Sequence, residues 1–507
     1  MNTIPSTCKN LSSYFFWIAY VFTIILIEFS FLYTLCYWNT NKPVMYVLSV
    51  GVLLLIAALY LIHLYTDSKE IKFEDYFFLI FIPLLFGFTI FILPFTPPDE
   101  FTHINRIFDN VTVAPAHTPA QLLDAYQWIG SYEILGNFLE IDFDYSLIKE
   151  STHIAGGYSK FNYIVPSVVA SICKAINING YLIVFFARIS NAIIYLAACW
   201  YMLRTIPKGK LLLTIFLCNP MLLEQQASCS ADSITNTITL MFIVQIFSMN
   251  IDYDNHRSKA DFFLLAMLSC SLFLIKLNYI PLLLLLITLI HFIPDKKVKY
   301  SAYAIALVCP ILLLLAILKW GKYNSLLYAT IGLNEELNAL SNILPTLKEH
   351  GMLILQQLLG GNLGWPYMPE SPSPVSILIP SIWVIYAVVL LISCPISHQT
   401  STDTMSSFTK TNFFIFLLTS LLLSAIIYLA LWGGSYAIGD PVSGIQGRYF
   451  FQSLLLLLLS INGISTISCS RIMKVSLFII AATTSLLSLL NCGGTTHKNL
   501  VIFPKET

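Results

Sequence analysis

The chain has 507 residues, 57% of them hydrophobic and only 11% charged. A soluble domain carries about 25% charged residues, so this chain cannot clothe its surface in polar groups and takes the lipid bilayer as its solvent. Lysine plus arginine and aspartate plus glutamate number 27 each, a balance that excludes a nucleic-acid or other polyanion partner selected by net charge.

In chain order the elements are apolar helices. A span needs roughly 20 apolar residues, and the pattern predicts an all-α integral membrane protein with about thirteen spans. They lie near 14–36, 45–66, 75–94, 181–203, 211–228, 231–249, 262–276, 279–293, 301–318, 376–394, 413–431, 450–468 and 475–490. The first run is longer than the about 7–15 apolar residues of a signal peptide and shows no small-residue cleavage site, so it reads as a retained span. Asn219-Pro220 predicts a kink in 211–228. The run within 163–178 is too short to cross and reads as a helix lying at the interface. Residues 1–74 read as an added two-helix hairpin, 75–490 as the main membrane domain and 491–507 as a short tail.

Orientation follows from the short basic connections at 68–72, 204–210, 255–259, 294–299 and 470–474, which the positive-inside rule assigns to the cytoplasm. The longer segments 95–180, 319–375 and 432–449 then face outward. This turns the polar face of the protein away from the cytoplasm. The cysteines are scattered through apolar runs with no metal-ligand spacing, and most read as small core residues.

Four polar features fall on the outward side. The first is Pro97-Pro98-Asp99-Glu100 with His103 and Arg106. A helix starting here puts Asp99 with His103, and Glu100 with His103 and Arg106, on one face. That is either a general base or cation site, or simply a well-capped helix start. The second is "NPMLLEQQASCSADSITNT", with Glu224, Gln225, Gln226, Ser230, Asp232 and Ser233 between two short spans. Charges near hydrocarbon are costly and mark function, though Ser230 or Asp232 also suits an N-cap. The third is "GGNLGWPYMPESPSP", where Trp365 suits either a sugar ring or the interface. The fourth is "WGGSYAIGDPVSGIQGRYF", in which Arg448 beside Gln446 and Tyr449 could clamp a phosphate or reach lipid headgroups. Arg188, about 10 Å into its span at 1.5 Å per residue, and Lys276 are two further cations in the same half of the membrane. No nucleotide loop, zinc motif or serine-nucleophile elbow is present.

The motifs "FTPPDEFTHINR", "NPMLLEQQASCSADSITNT", "GGNLGWPYMPE" and "GIQGRYF", in this order, resemble a bacterial family of polytopic membrane proteins catalogued as a domain of unknown function. That family is similar to the GT-C superfamily of membrane glycosyltransferases, and the resemblance runs from about residue 75 to 490. It implies a GT-C-like fold and transfer of a sugar from a polyprenyl-phosphate donor to a cell-envelope glycan or lipid acceptor on the outer face. It also implies a bacterial cytoplasmic (inner) membrane, with the polar face toward the periplasm or exterior. The functional acid of that superfamily corresponds to Asp99 or Glu100. His103 would orient it, and Asp99, Glu100 and His103 would be the ligands of any divalent cation (Mg or Mn). Arg448, Lys276 and Arg188 would hold the donor phosphate. Asp232, Gln446, Tyr449, Arg106 and Trp365 would support the site. With no large soluble domain after the last span, loops and membrane helices would bind the acceptor. A lipid-linked glycan transporter or flippase, and a glycan ligase or polymerase, are the alternative readings.

Overall fold

A computed structural model describes residues 17–18, 20–30, 32–33, 73–92, 94, 97, 99–111, 117–119, 148–150, 158–253, 255, 258–292, 336–359, 379–396, 408–432, 439–442, 444–467 and 470–495. Spans expected at 45–66 and 301–318 lie outside the described residues, as does Trp365.

The described chain is overwhelmingly helical. Helix α1 (Tyr20–Ser30) is followed by α2 (Phe73–Phe91), α3 (Glu100–Val111), α4 (Ile164–Ala175), α5 (Gly180–Thr205), α6 (Lys210–Leu217), α7 (Pro220–Gln226), α8 (Ala231–Ile251) and α9 (Lys259–Ile275). Then come α10 (Glu336–Leu358), α11 (Ile379–Ser393), α12 (Lys410–Trp432), α13 (Phe451–Ile464) and α14 (Arg471–Thr495). Among the described residues four helices are long and apolar enough to cross a membrane: Tyr181–Thr205, Ala231–Ile251, Lys410–Leu431 and Gly447–Ile464.

The structure departs from the expected spans in particular places. The run 211–228 is two short helices rather than one kinked span. Pro220 has no N–H to continue α6, and the Asn219 carboxamide caps the restart by accepting from the amides of Met221 (3.0 Å) and Leu222 (3.2 Å). Leu277–Phe292 winds as a 3₁₀ helix.

Two of the long connecting segments carry structure that was not expected. His117–Pro119 pairs antiparallel with Ile148–Glu150, a ribbon that the all-helical reading did not include. Pro119, lacking an amide proton, ends the ladder. Within 319–375, α10 runs for 23 residues, with Leu340, Leu344, Leu347, Met352 and Leu355 exposed along it.

The core is aromatic and aliphatic. Phe77 stacks on Phe81 at 4.6 Å, and Trp17 packs edge-on to Trp200 at 5.7 Å. The Tyr20 hydroxyl donates to the Leu79 carbonyl at 2.9 Å. Trp17, Tyr20 and Ile24 of the N-terminal segment thus pack into the main core. Helix α4 is amphipathic. Ile164, Val168 and Ile172, each four residues on from the last, are exposed, while Pro166, Ser167, Ala170 and Cys173 are buried. The described cysteines are free, and Cys173, Cys199, Cys218, Cys229 and Cys394 are buried.

Candidate functional site

Three local devices bring the polar features together. Residues 97–111 turn inward from α2. Asp99 takes a left-handed backbone (φ 62°), and its carbonyl accepts the His103 amide at 3.2 Å, starting α3. A non-glycine residue held there costs about 1–3 kcal/mol and is concentrated at functional sites. Ser230 caps α8 by accepting from the Asp232 amide at 3.1 Å, which puts the Asp232 side chain in the first turn.

The third device holds the loop before α13. Side chains of α10 accept its backbone amides: Asn342 from Gly439 (2.6 Å), Thr346 from Val442 (2.9 Å) and Gln357 from Gly447 (2.8 Å). A Cβ on Gly447 would collide with the backbone of α10 at Ile354 and Leu358. Glycine is what lets this loop lie against α10 and swing the next residue, Arg448, into the bundle.

Arg448 is the hub. Its Nη2 donates to Asp99 Oδ2 at 2.8 Å and to the Tyr449 hydroxyl at 3.4 Å, and its Nη1 to Gln225 Oε1 at 3.4 Å. Its Nε lies 3.9 Å from Asp232 Oδ2. The other Asp232 oxygen accepts from Lys276 Nζ at 2.5 Å. Lys276 also lies over the Tyr158 ring, 4.6 Å from its centre, and 5.8 Å from that of Tyr449. Two acids and two bases thus form one alternating cluster. The Arg448 side chain is 3% exposed and Asp232 8%, whereas Asp99 is 41% exposed. Asp99 is the open rim of a closed cluster.

His103 backs this arrangement rather than joining it. Its Nδ1 lies 2.7 Å from the Tyr163 hydroxyl, and its ring meets Tyr158 edge-on at 5.2 Å. Burial lowers its pKa to about 4, outweighing the pull of the Asp232 carboxylate, so the imidazole is neutral at neutral pH. Burial also pushes the Tyr163 phenol up. The Lys276 ammonium pulls the Tyr158 phenol down, but burial and Asp232 outweigh it and the phenol is raised.

Glu100 and Arg188 stand apart. They form a doubly bonded ion pair with both side chains at 0% exposure, including Arg188 Nε to Glu100 Oε1 at 2.8 Å. Glu100 Oε1 also accepts the Cys229 amide at 3.0 Å, and Arg188 Nη1 donates to the Ile92 carbonyl at 2.5 Å. The expectation of one shared helix face therefore divides. Asp99 reaches Arg448, Glu100 reaches Arg188, and His103 reaches Tyr163. Arg106 is half-buried on α3, and Gln446 is buried just before Gly447. Among the described residues no group of three His, Cys, Asp or Glu side chains could hold a metal ion. The donor set Asp99, Glu100 and His103 does not fit a divalent cation, because each of the three is turned to a different partner.

Tyr158, Tyr163 and Gln452 belong to the site or its floor but carried no distinguishing signal in the sequence, whereas Gln225 stood in the second polar feature. Tyr158 and Tyr163 sit in "YSKFNY" ahead of α4, a composition equally suited to an interfacial anchor.

A polytopic helical membrane protein with a buried ionic cluster open at one rim is the class that the fold and this geometry define. Residues 144–458 match the family described as "predicted membrane protein (DUF2142)", and the chain belongs to that family. No curated protein and no solved structure matches it. The matched range includes Asp232, Lys276 and Arg448 but starts after Asp99, Glu100 and His103.

Proposed function

We propose that the protein is an integral-membrane glycosyltransferase of GT-C type that moves a sugar from a polyprenyl-phosphate donor to a cell-envelope glycan or lipid acceptor. The reading places it in a bacterial inner membrane with about thirteen spans and the site facing the periplasm or exterior. The observation that carries it is the Asp99–Arg448 pair: a carboxylate open to solvent against a buried guanidinium, with Lys276 one carboxylate further on.

The donor phosphate takes the Arg448 fork and the Lys276 ammonium, and displaces Asp99 from Arg448. Asp99 then accepts the proton of the acceptor hydroxyl. The acceptor oxygen bonds to the anomeric carbon as the bond from that carbon to the phosphate oxygen breaks. The electron pair leaves on polyprenyl phosphate, where the two cations stabilise it. Attack opposite the phosphate inverts the anomeric centre. Asp232 holds both cations in place. Glu100 and Arg188 pin α3 to α5 rather than touch substrate, and His103 braces the wall through Tyr163.

The test is transfer from a polyprenyl-phosphate sugar in proteoliposomes. Asp99→Asn is expected to lower turnover about 10²–10⁴-fold, with donor affinity retained. Arg448→Ala is expected to weaken donor binding. Near-normal turnover by Asp99→Asn removes it as the base.

One observation favours a second reading, a lipid-linked glycan transporter. The chain break at Asn219-Pro220 lies buried inside the bundle, and broken helices line substrate paths in transporters. Lipid movement across the bilayer with no new glycosidic bond would decide for it.

A further inference from the structure

Directly beneath the ionic cluster lies a second layer made of uncharged amides. On α8, Asn236 follows Asp232 by one turn, and Gln452 follows Arg448 by the same interval. Gln452 Nε2 donates to Asn236 Oδ1 at 2.8 Å and to Thr239 Oγ1 at 2.9 Å. Gln226 Oε1 accepts from Ser233 and Thr237, both at 3.1 Å. Gln225 joins the two layers through its bond from Arg448.

Gln225, Gln226 and Gln452 are 0% exposed, and Asn236 is 2% exposed. Yet among the described residues Gln225 Nε2, Gln226 Nε2, Asn236 Nδ2 and Gln452 Oε1 meet no hydrogen-bond partner. Turning an amide over does not remove the deficit. Arg448 can only donate, so it fixes which end of Gln225 it meets. Turning Asn236 and Gln452 together changes which atom is left over, not how many. Buried polar atoms are ordinarily bonded, and four on adjoining turns beside an ionic cluster form a set with a common demand.

We infer that this layer is a saccharide subsite, taking ring hydroxyls of the donor sugar while the ionic layer above takes its phosphate. The inference rests on the transferase reading of the site. Its chemistry selects the ligand. Neutral donors and an acceptor together suit hydroxyl groups, which both give and take hydrogen bonds. They suit neither a phosphate, which only accepts, nor an isoprenoid chain, which would leave every amide unmet.

The experiment uses the full-length chain in lipid nanodiscs. Two probes are titrated: undecaprenyl phosphate alone, and undecaprenyl phosphate carrying one hexose, tested in turn as glucose, galactose and mannose. The wild type is expected to bind at least one glycosylated lipid more tightly than the bare lipid. Gln452→Met and Asn236→Leu are expected to weaken that glycosylated lipid about tenfold or more, with bare-lipid binding unchanged, which also reports that the variants fold. Gln452→Glu, which keeps a hydrogen-bonding end, is expected to fall less than Gln452→Met.

A wild type without preference for any glycosylated lipid overturns the inference. So does a preference untouched by both variants, or a loss of bare-lipid affinity in parallel. The two readings fail separately. A variant-sensitive sugar preference with no glycosidic product sinks the transferase and leaves the subsite. Product formed with a variant-insensitive preference does the reverse.

Discussion

Arg448 and Asp99, 349 positions apart in the chain, are joined by a 2.8 Å hydrogen-bonded ion pair, although one side chain is nearly sealed and the other is open. The asymmetry separates stability from activity. A partly exposed pair is worth about 0–1 kcal/mol, so Asp99→Asn is expected to shift unfolding in detergent by no more than that while turnover collapses. A stability loss as large as that of a core truncation would make Asp99 a structural residue instead.

The Glu100–Arg188 pair has the opposite character. Removing one partner of a fully buried pair leaves an uncompensated charge and costs about 3–5 kcal/mol. Arg188→Met and Glu100→Gln are each expected to destabilise strongly. The double variant should cost clearly less than the two singles combined. Additive losses in a thermal-unfolding cycle would show that the two side chains do not depend on one another.

His103 supplies the pH dependence. Its pKa falls from 6.5 to about 4 on folding because burial disfavours the charged ring. Asp232, Asp99, Arg448 and Lys276 face it electrostatically, and Tyr158 and Tyr163 touch it. Between these two values the unfolded chain binds the proton and the folded chain does not, so stability is full above pH 6.5 and is lost as pH falls toward 4. His103→Phe is expected to lack this increment when unfolding is followed across that window. An unchanged acid slope would remove His103 as its source.

Gly447 makes a steric prediction. Alanine there drives a methyl group into the backbone of α10. The expected cost is about 1–3 kcal/mol, together with weaker donor binding as Arg448 is pushed out of line. Wild-type values for both unfolding and donor binding would mean that α10 yields at no cost.

The side of the membrane is open to labelling. Asp99 and Asp440 are both accessible, and the loop holding Asp440 leads directly into Arg448. In a background cleared of native cysteines, Asp99→Cys and Asp440→Cys are expected to react with an impermeant maleimide from the same, outer side. Labelling from opposite sides would break the proposed site.

Much of this was legible in the sequence because burying charge in an apolar chain is costly enough to flag each instance. Asp99, Asp232, Lys276 and Arg448 were all visible that way, and the Asn219-Pro220 interruption was visible as helix-breaking chemistry. The partners were not. Helical spacing placed Glu100 with His103 and Arg106, but a sealed guanidinium on α5 has a stronger claim on that carboxylate than any neighbour along α3. Of the amide layer, Gln225 and Gln226 stood in the second polar feature, but Asn236 and Gln452 escaped notice because an amide inside a span carries no signal until two helices bring a pair together. Helix α10 was read as loop since its apolar residues are too widely spaced for a span, although they suit a helix lying flat.

The exposed stripe of α4 ties the site to its surroundings. Ile164, Val168 and Ile172 present an exposed apolar stripe suited to acyl chains, and the residues leading directly into this helix carry Tyr158 and Tyr163, the wall of the site. If that stripe rests on acyl chains, lipid tail length sets the height of the wall. On the proposed reading, a change in acyl-chain length would raise or lower the rim of the site without altering a single residue.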